Sequence, residues 1–258
     1  METPSTTPGH SARSSMNDPS TSRPPLTVII GTGNVLSSFA ALQLRERGDD
    51  LLQFGLTTGV EESTGFLDVT EHDSWRALEG DERLCRHANF LYTVAHGSPS
   101  VLALSEADSI SKHTSINLQG LQNFFAFLAR RGASGSIPSS VVLITSLNSR
   151  LPAPGYSGYC ATKAGATMLG KVAALELAPT YRINMIAPGP FLRSDVGELR
   201  ARVRAENLAT LQHPLGRRAT TVVDIWPAID FLLSDASNWL TGCEVPIDGG
   251  LHLLGSTY

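Results

Sequence analysis

The sequence predicts an α/β fold, a doubly wound and mostly parallel β-sheet with helices on both faces. Three observations carry this. Short apolar runs alternate with helix-length amphipathic stretches from Leu26 onward. Glycine and proline punctuate the ends of those stretches, at Gly48, Pro188-Gly189 and Asp248-Gly249-Gly250. The chain has 258 residues, 41% hydrophobic and 17% charged, which suits one large domain with a substantial core.

Taken in order, Leu26–Ile30 reads as a first strand and Asn34–Arg47 as a helix closed by Gly48. Leu51–Phe54 is a second short strand, Asn89–Ala95 (NFLYTVA) a third and Val141–Thr145 (VVLIT) the next. Gly158–Ala178 is a long helix rich in Ala, Leu and Lys. Arg182–Ala187 is a strand halted by Pro188-Gly189, Val222–Leu233 a late helix, and Cys243–Ile247 a final strand. In a sheet of this kind ligands sit beyond the carboxyl ends of the strands, where strand order reverses. The loops after Ile30, Ala95, Thr145 and Ala187 therefore face one crevice.

The remaining features narrow the function class. Residues 1–25, dominated by Ser, Thr and Pro, have too little apolar surface to offset their ordering entropy and are expected to be a disordered tail ahead of a single domain, 26–258. A net charge of −4 argues against a nucleic-acid partner. Arg130-Arg131 and Arg217-Arg218 read as solvated surface. No run of about 18 apolar residues exists, so no membrane span is expected. Three scattered cysteines, Cys85, Cys160 and Cys243, form neither a disulfide framework nor a metal site, and point to a reducing, cytoplasmic setting.

Tyr159-Cys160-Ala161-Thr162-Lys163 places a phenol and an ammonium four residues apart, on one face of a helix. A cation within about 4–6 Å favours the phenolate, so such a tyrosine is suited to exchange a proton with a carbonyl or alcohol oxygen near neutral pH. That spacing alone also fits a surface tyrosine beside an incidental lysine. The surroundings add weight: Thr145-Ser146 closes a buried strand, and Pro152, Pro154 and Gly155 form the loop leading to the tyrosine helix.

Here the chain resembles the short-chain dehydrogenase/reductase family. VVLITSLNSRLPAPGYSGYCATKAGATMLGKVAALELAPTYRINMIAPGP is similar to its catalytic segment, SINLQG to the segment carrying its asparagine, and PLGRRATTVVDIWPAIDFLLSDASNWLTGCEVPIDGG to its C-terminal helix and strand. The resemblance covers residues 26–254. It implies a Rossmann-like, three-layer α/β/α fold and four catalytic residues. Tyr159 would be the general acid/base, and Lys163 would lower its pKa and hold ribose hydroxyls of the cofactor. Ser146 would orient the reacting oxygen, and Asn117 would anchor a water on a proton path. Gly31, Gly33, Asn34, Leu36, Asp68, Val69, Ala95, Pro188 and Gly189, with Tyr159 and Lys163, would line the cofactor site.

The phosphate loop departs from the family pattern. In Ile30-Gly31-Thr32-Gly33-Asn34-Val35-Leu36-Ser37-Ser38 only Gly31 falls on a family glycine, and Val35 and Ser37 replace the other two. The glycines in such loops admit backbone amides to a pyrophosphate, while the helix N-terminus still offers its dipole. Leu56–Gly65 is too short for a helix with two ordinary loops. Gly55 stands where an acid would select NAD(H), a lean toward NADP(H). His96 replaces a family residue near the nicotinamide end and reads either as a loop histidine or as a substrate-binding or proton-relay group.

The leading expectation is a reductase or dehydrogenase passing hydride between NAD(P)(H) and a carbonyl or secondary alcohol. His96, Leu147, Met185, Phe191 and Leu192 would shape an apolar pocket for a hydrophobic small molecule, and Asp195–Gln212 its lid. An altered phosphate loop beside an intact tyrosine site leaves an isomerase, dehydratase or cyclase as the alternative. A catalytically silent interaction protein would not need all four polar residues. The apolar stretches Asn123–Leu128 and Ala164–Leu177 lie on helices that the family pairs between subunits, so the resemblance implies a homodimer or homotetramer; Leu253, Leu254 and Tyr258 would either join that contact or fray.

Overall fold

The computed structural model describes residues 24–56, 64–99, 102, 107–132, 138–190, 213–216 and 219–255. Its strands are β1 (Leu26–Ile30), β2 (Asp50–Gly55), β3 (Thr64–Phe66), β4 (Ala88–Tyr92), β5 (Ser139–Ile144), β6 (Tyr181–Pro188) and β7 (Glu244–Ile247). Its helices are α1 (Val35–Arg47), α2 (His72–Glu79), α3 (Ala107–Thr114), α4 (Gly120–Arg131), α5 (Ser157–Glu176) and α6 (Val222–Leu233). The strands form one sheet in the order β3-β2-β1-β4-β5-β6-β7, every neighbouring pair parallel. The order reverses between β1 and β4, which fixes the crevice at their carboxyl ends.

The strands are apolar along their length because both faces are covered. Val28 and Ile30 of β1 join Phe90, Trp75 and Phe124 on one side; the intervening Ile29 joins Leu36, Ala40, Ile225 and Ile229 on the other. Trp75 packs its ring 5.5 Å from Phe127 and donates its indole N–H to the Val69 carbonyl. On α1, Asn34 and Ser37 cap each other reciprocally, and Gly48, in the left-handed region, ends the helix.

Several expectations shift. β4 stops at Tyr92 rather than Ala95, because its partner β1 ends where Gly31 turns with φ +104°. Thr93 still donates its N–H to the Ile30 carbonyl, and beyond it the chain leaves the sheet. β3, pairing parallel with β2, and α2 were not anticipated. Arg130 is surface, paired with Glu79, but Arg131 is partly buried and donates to the Leu84 carbonyl and the Tyr181 hydroxyl. Phe124, Phe125, Phe127 and Leu128 are spent on the chain's own core, so only the α5 stripe of Met168, Val172 and Leu175 remains as an apolar outer face there. Met185 is wholly buried, its sulfur against Gly170, and lines no pocket.

The expected tail falls outside the described residues up to residue 23; Pro24 and Pro25 already accept hydrogen bonds from Arg86 and Asp50. Residues 57–63, Phe191, Leu192, the expected lid Asp195–Gln212, Arg217-Arg218 and Tyr258 also lie outside them. Among the described residues no helix is long and apolar enough to cross a membrane, and no group of three His, Cys, Asp or Glu side chains could hold a metal.

Candidate active site

Tyr159 lies in the first turn of α5 and Lys163 one turn further on, as their spacing predicts. The Lys163 ammonium stands 5.8 Å from the centre of the Tyr159 ring. It is 3% exposed and donates to the Ile144 carbonyl at 2.9 Å, which ties α5 to the end of β5. An ammonium has three N–H donors, so two have no acceptor among the described residues. Burial pushes its pKa down to about 8. At neutral pH it is still mostly a cation, held in a poorly solvated place.

Ser146 follows β5 and starts the short 3-10 turn Leu147–Ser149. Its hydroxyl oxygen accepts the Asn148 N–H at 3.1 Å, so it does cap a turn. That bond uses a lone pair and leaves the hydroxyl proton free to be donated. Leu147, expected at the substrate, is buried under the turn.

Asn117 sits in a π-helical segment, Ser115–Gln119, between α3 and α4. Such bulges re-aim a side chain out of the helical ladder. Its Oδ1 accepts the His96 N–H at 2.7 Å, and its Nδ2 donates to the His96 carbonyl and the Thr162 hydroxyl, both at 2.9 Å. Both amide hydrogens are consumed, so the side chain clamps the β4 loop to α5. Thr162, which completes the clamp, was overlooked because a threonine in a helix has no distinctive signal.

The β4 loop lies against the tyrosine. A Cβ on Gly97 would stand 3.0 Å from Tyr159 Cδ2, so the missing side chain lets the loop rest on the ring. His96 is half-buried with its ring 5.0 Å from that of His113. Burial first, then His113 and Lys112, hold the His96 pKa below its ordinary value. His113, buried and accepting the Ser98 N–H, was also missed: in sequence it is a lone histidine on an amphipathic helix.

The phosphate loop is closed on itself. Asn34 Nδ2 donates to the Gly31 carbonyl and to Thr93, its Oδ1 accepts the Ser37 N–H, and Ser37 Oγ accepts the Asn34 N–H. Gly31 and Gly33 both have positive φ, and a Cβ on Gly31 would come within 2.8 Å of Thr93 and Val94. Leu36 is buried in the core. At the end of β2 a Cβ on Gly55 would fall 2.2 Å from Thr32 Oγ1, a buried hydroxyl without a hydrogen-bond partner. Asp68 accepts from the Thr70 N–H and hydroxyl through one oxygen. Val69 packs against Gly120, Ala95 is exposed, and Pro188-Gly189 is buried, with Gly189 against Asp248.

The family model described as enoyl-(acyl carrier protein) reductase matches residues 56–252. The chain belongs to the short-chain dehydrogenase/reductase family. Its match begins after the divergent phosphate loop. D-erythrulose reductase of Gallus gallus is 27% identical over 238 residues, 86% of this chain and 94% of that protein. Carbonyl reductase [NADPH] 2 of Sus scrofa is 30% identical over 136 residues, 52% of this chain and 55% of that one. A short-chain type dehydrogenase/reductase from Mycobacterium ulcerans superposes with a TM-score of 0.79 at 21% identity, covering 89% of this chain and 90% of that one. The family is one of nicotinamide-dependent oxidoreductases acting on CH–OH and C=O groups, and this chain is a member.

A nicotinamide dinucleotide fits the residues present at one end of the crevice. Lys163 offers two buried donors without acceptors, the helix N-terminus of α1 faces the turn made by Gly31 and Gly33, and one oxygen of Asp68 is unused. The other end departs: Gly55 carries no acidic side chain, and Thr32 fills the space its Cβ would take.

Proposed function

We propose that this oxidoreductase interconverts a carbonyl and a secondary alcohol of a small molecule with NADP(H), using Tyr159 as its general acid/base. The observation that carries the reading is Lys163: a buried cation beside the Tyr159 ring with two donors to spare. When bound, the nicotinamide would give or take the hydride. Ser146 would donate its free hydroxyl proton to the reacting oxygen and hold it toward Tyr159. In the reducing direction Tyr159 gives its proton to that oxygen; in the oxidising direction it takes one back. Lys163 favours the phenolate electrostatically and would hold ribose hydroxyls with its two remaining N–H groups. Asn117 and Thr162 keep the β4 loop against α5, so Gly97 stays on the Tyr159 ring.

The preference for NADP(H) is supported by the missing acid at Gly55, whose Cβ space Thr32 fills, and by the NADPH in the name of the porcine relative. His96, neutral near pH 7 by its lowered pKa, would offer a substrate contact at the loop edge. Phe191 and Leu192, which lie outside the described residues, would supply apolar contacts to the substrate. The exposed stripe Met168, Val172 and Leu175, with Met168 60% and Leu175 81% exposed, supports pairing of α5 between two copies as a homodimer or homotetramer. The non-redox alternative rested on the altered loop, and the retained glycine turn and the spare Lys163 donors favour the redox reading. The test is turnover of a panel of ketones and secondary alcohols with NADPH and NADP, comparing wild type with Tyr159→Phe. Turnover by wild type, and its loss in the variant with NADPH binding retained, supports the reading; equal turnover by both refutes it.

A further inference from the structure

β7 is an edge strand, yet it sends one acidic side chain inward. The Glu244 side chain is 1% exposed. Its Oε1 lies 2.8 Å from the Thr167 hydroxyl, 2.9 Å from that of Thr145 and 3.3 Å from that of Ser149. The Thr145 hydroxyl shares its one proton between this oxygen and the Ile186 carbonyl. Glu244 Oε2 stands 2.5 Å from Arg150 Nη2, an ion pair without hydrogen-bond alignment.

These four partners sit on two pieces of the site. Thr145 immediately precedes Ser146, and Ser149 and Arg150 close the turn that Ser146 opens. Thr167 is on α5, one turn beyond Lys163 and two beyond Tyr159. Removing a carboxylate from water costs several kcal/mol unless donors compensate it. An apolar side chain would cover this edge without that cost. The charge is instead spent on joining the Ser146 turn to the helix that carries Tyr159 and Lys163, parallel to the Lys163 bond to Ile144. Ser146 and Tyr159 must meet one substrate oxygen, and displacements of about 1 Å already weaken such a constellation.

We propose that Glu244 is a positioning residue of the reaction, setting the separation of Ser146 from Tyr159 and Lys163 through Thr145, Ser149, Arg150 and Thr167. It touches neither substrate nor cofactor. The inference rests on the roles given above to Ser146 and Tyr159. Its test is Glu244→Gln, which keeps the shape but removes the charge paired with Arg150 and sets an amide NH2 against either the guanidinium or the three hydroxyls, measured with the ketone that wild type turns over and with NADPH. The expected result is a kcat about tenfold lower, with KM and the NADPH Kd within about twofold of wild type. Placed on Ser146→Ala, the same substitution is expected to change the residual kcat by less than about twofold, because it acts through the serine. An unchanged kcat in the single variant overturns the proposal, as does a full tenfold loss in the Ser146→Ala background, which would mark general loosening. Should Glu244→Gln fail to fold, Thr167→Val replaces it, with kcat expected about threefold lower and an unchanged kcat overturning the idea. If Ser146→Ala is impaired while the Glu244 variant matches wild type, this inference alone falls; if Ser146→Ala is fully active, the functional reading falls with it.

Discussion

The β5–α5 seam and the β1–α1 loop stand at the two ends of one crevice, and they have been built differently. At the seam, polar groups are left over: two Lys163 donors and the Ser146 proton have no partner among the described residues. At the loop, most polar groups are consumed: Asn34, Ser37, Thr93 and Gly31 satisfy one another, and the buried Thr32 hydroxyl is the exception. Unspent hydrogen-bonding capacity in a buried place is expensive, and it persists where a ligand is to complete it. Internal satisfaction marks a part that holds its shape alone. On the proposed reading, recognition would be concentrated at the reacting end, with less reliance on the phosphate loop.

The largest expected effect breaks the reacting end. Tyr159→Phe should lower kcat by about 10²–10⁴-fold, with the NADPH Kd close to wild type by fluorescence titration. Wild-type turnover in that variant would remove the distinction between the two ends.

Next comes the energy stored at Lys163. Burial lowers its pKa from 10.5 to about 8, so the charged form is disfavoured in the folded state. The cost is therefore full below about pH 8, shrinks as pH rises from 8 toward 10.5, and is absent above that. A shift of that size corresponds to about 3 kcal/mol. Lys163→Met should accordingly raise Tm at pH 7 while abolishing turnover, with the gain in Tm narrowing as pH climbs toward 10.5. A lower Tm at pH 7 would show that the ammonium is compensated inside the free protein.

At the loop, Gly55→Asp should cost about 1–3 kcal/mol of stability, because Thr32 Oγ1 occupies the space of the new Cβ. Thr32→Gly in the same chain should restore part of that loss, because the residue 32 backbone nitrogen stays 2.9 Å from the new Cβ, and should shift preference toward NADH. Restoration is read by Tm, preference by the ratio of kcat/KM for the two cofactors. The smallest effect is expected for Asn34→Ala, which removes the α1 cap and should cost about 1 kcal/mol by denaturant melt.

What the sequence could announce follows the same division. The alternation of strands and helices, the Gly48 stop of α1 and the Tyr159–Lys163 face are legible because periodicity and spacing are local properties. The clamp by Thr162, the His96–His113 pair and the Glu244 hub were not, since each joins residues distant in the chain through hydroxyls and lone side chains of ordinary appearance. NFFAFL was misread as an outer face because apolarity alone does not say which core a helix serves; Phe124 and Phe127 pack on Trp75. Met185 was assigned to the pocket because β6 ends at the crevice, whereas its side chain points to α5.

The most direct measurement is calorimetric titration of the purified protein with NADPH and with NADH, using Lys163→Met as the control. A Kd near the micromolar range for NADPH, weaker for NADH and lost in the control, is the outcome expected if the spare donors of Lys163 exist for a nicotinamide cofactor. No heat at millimolar NADPH, or binding that Lys163→Met leaves untouched, would contradict it.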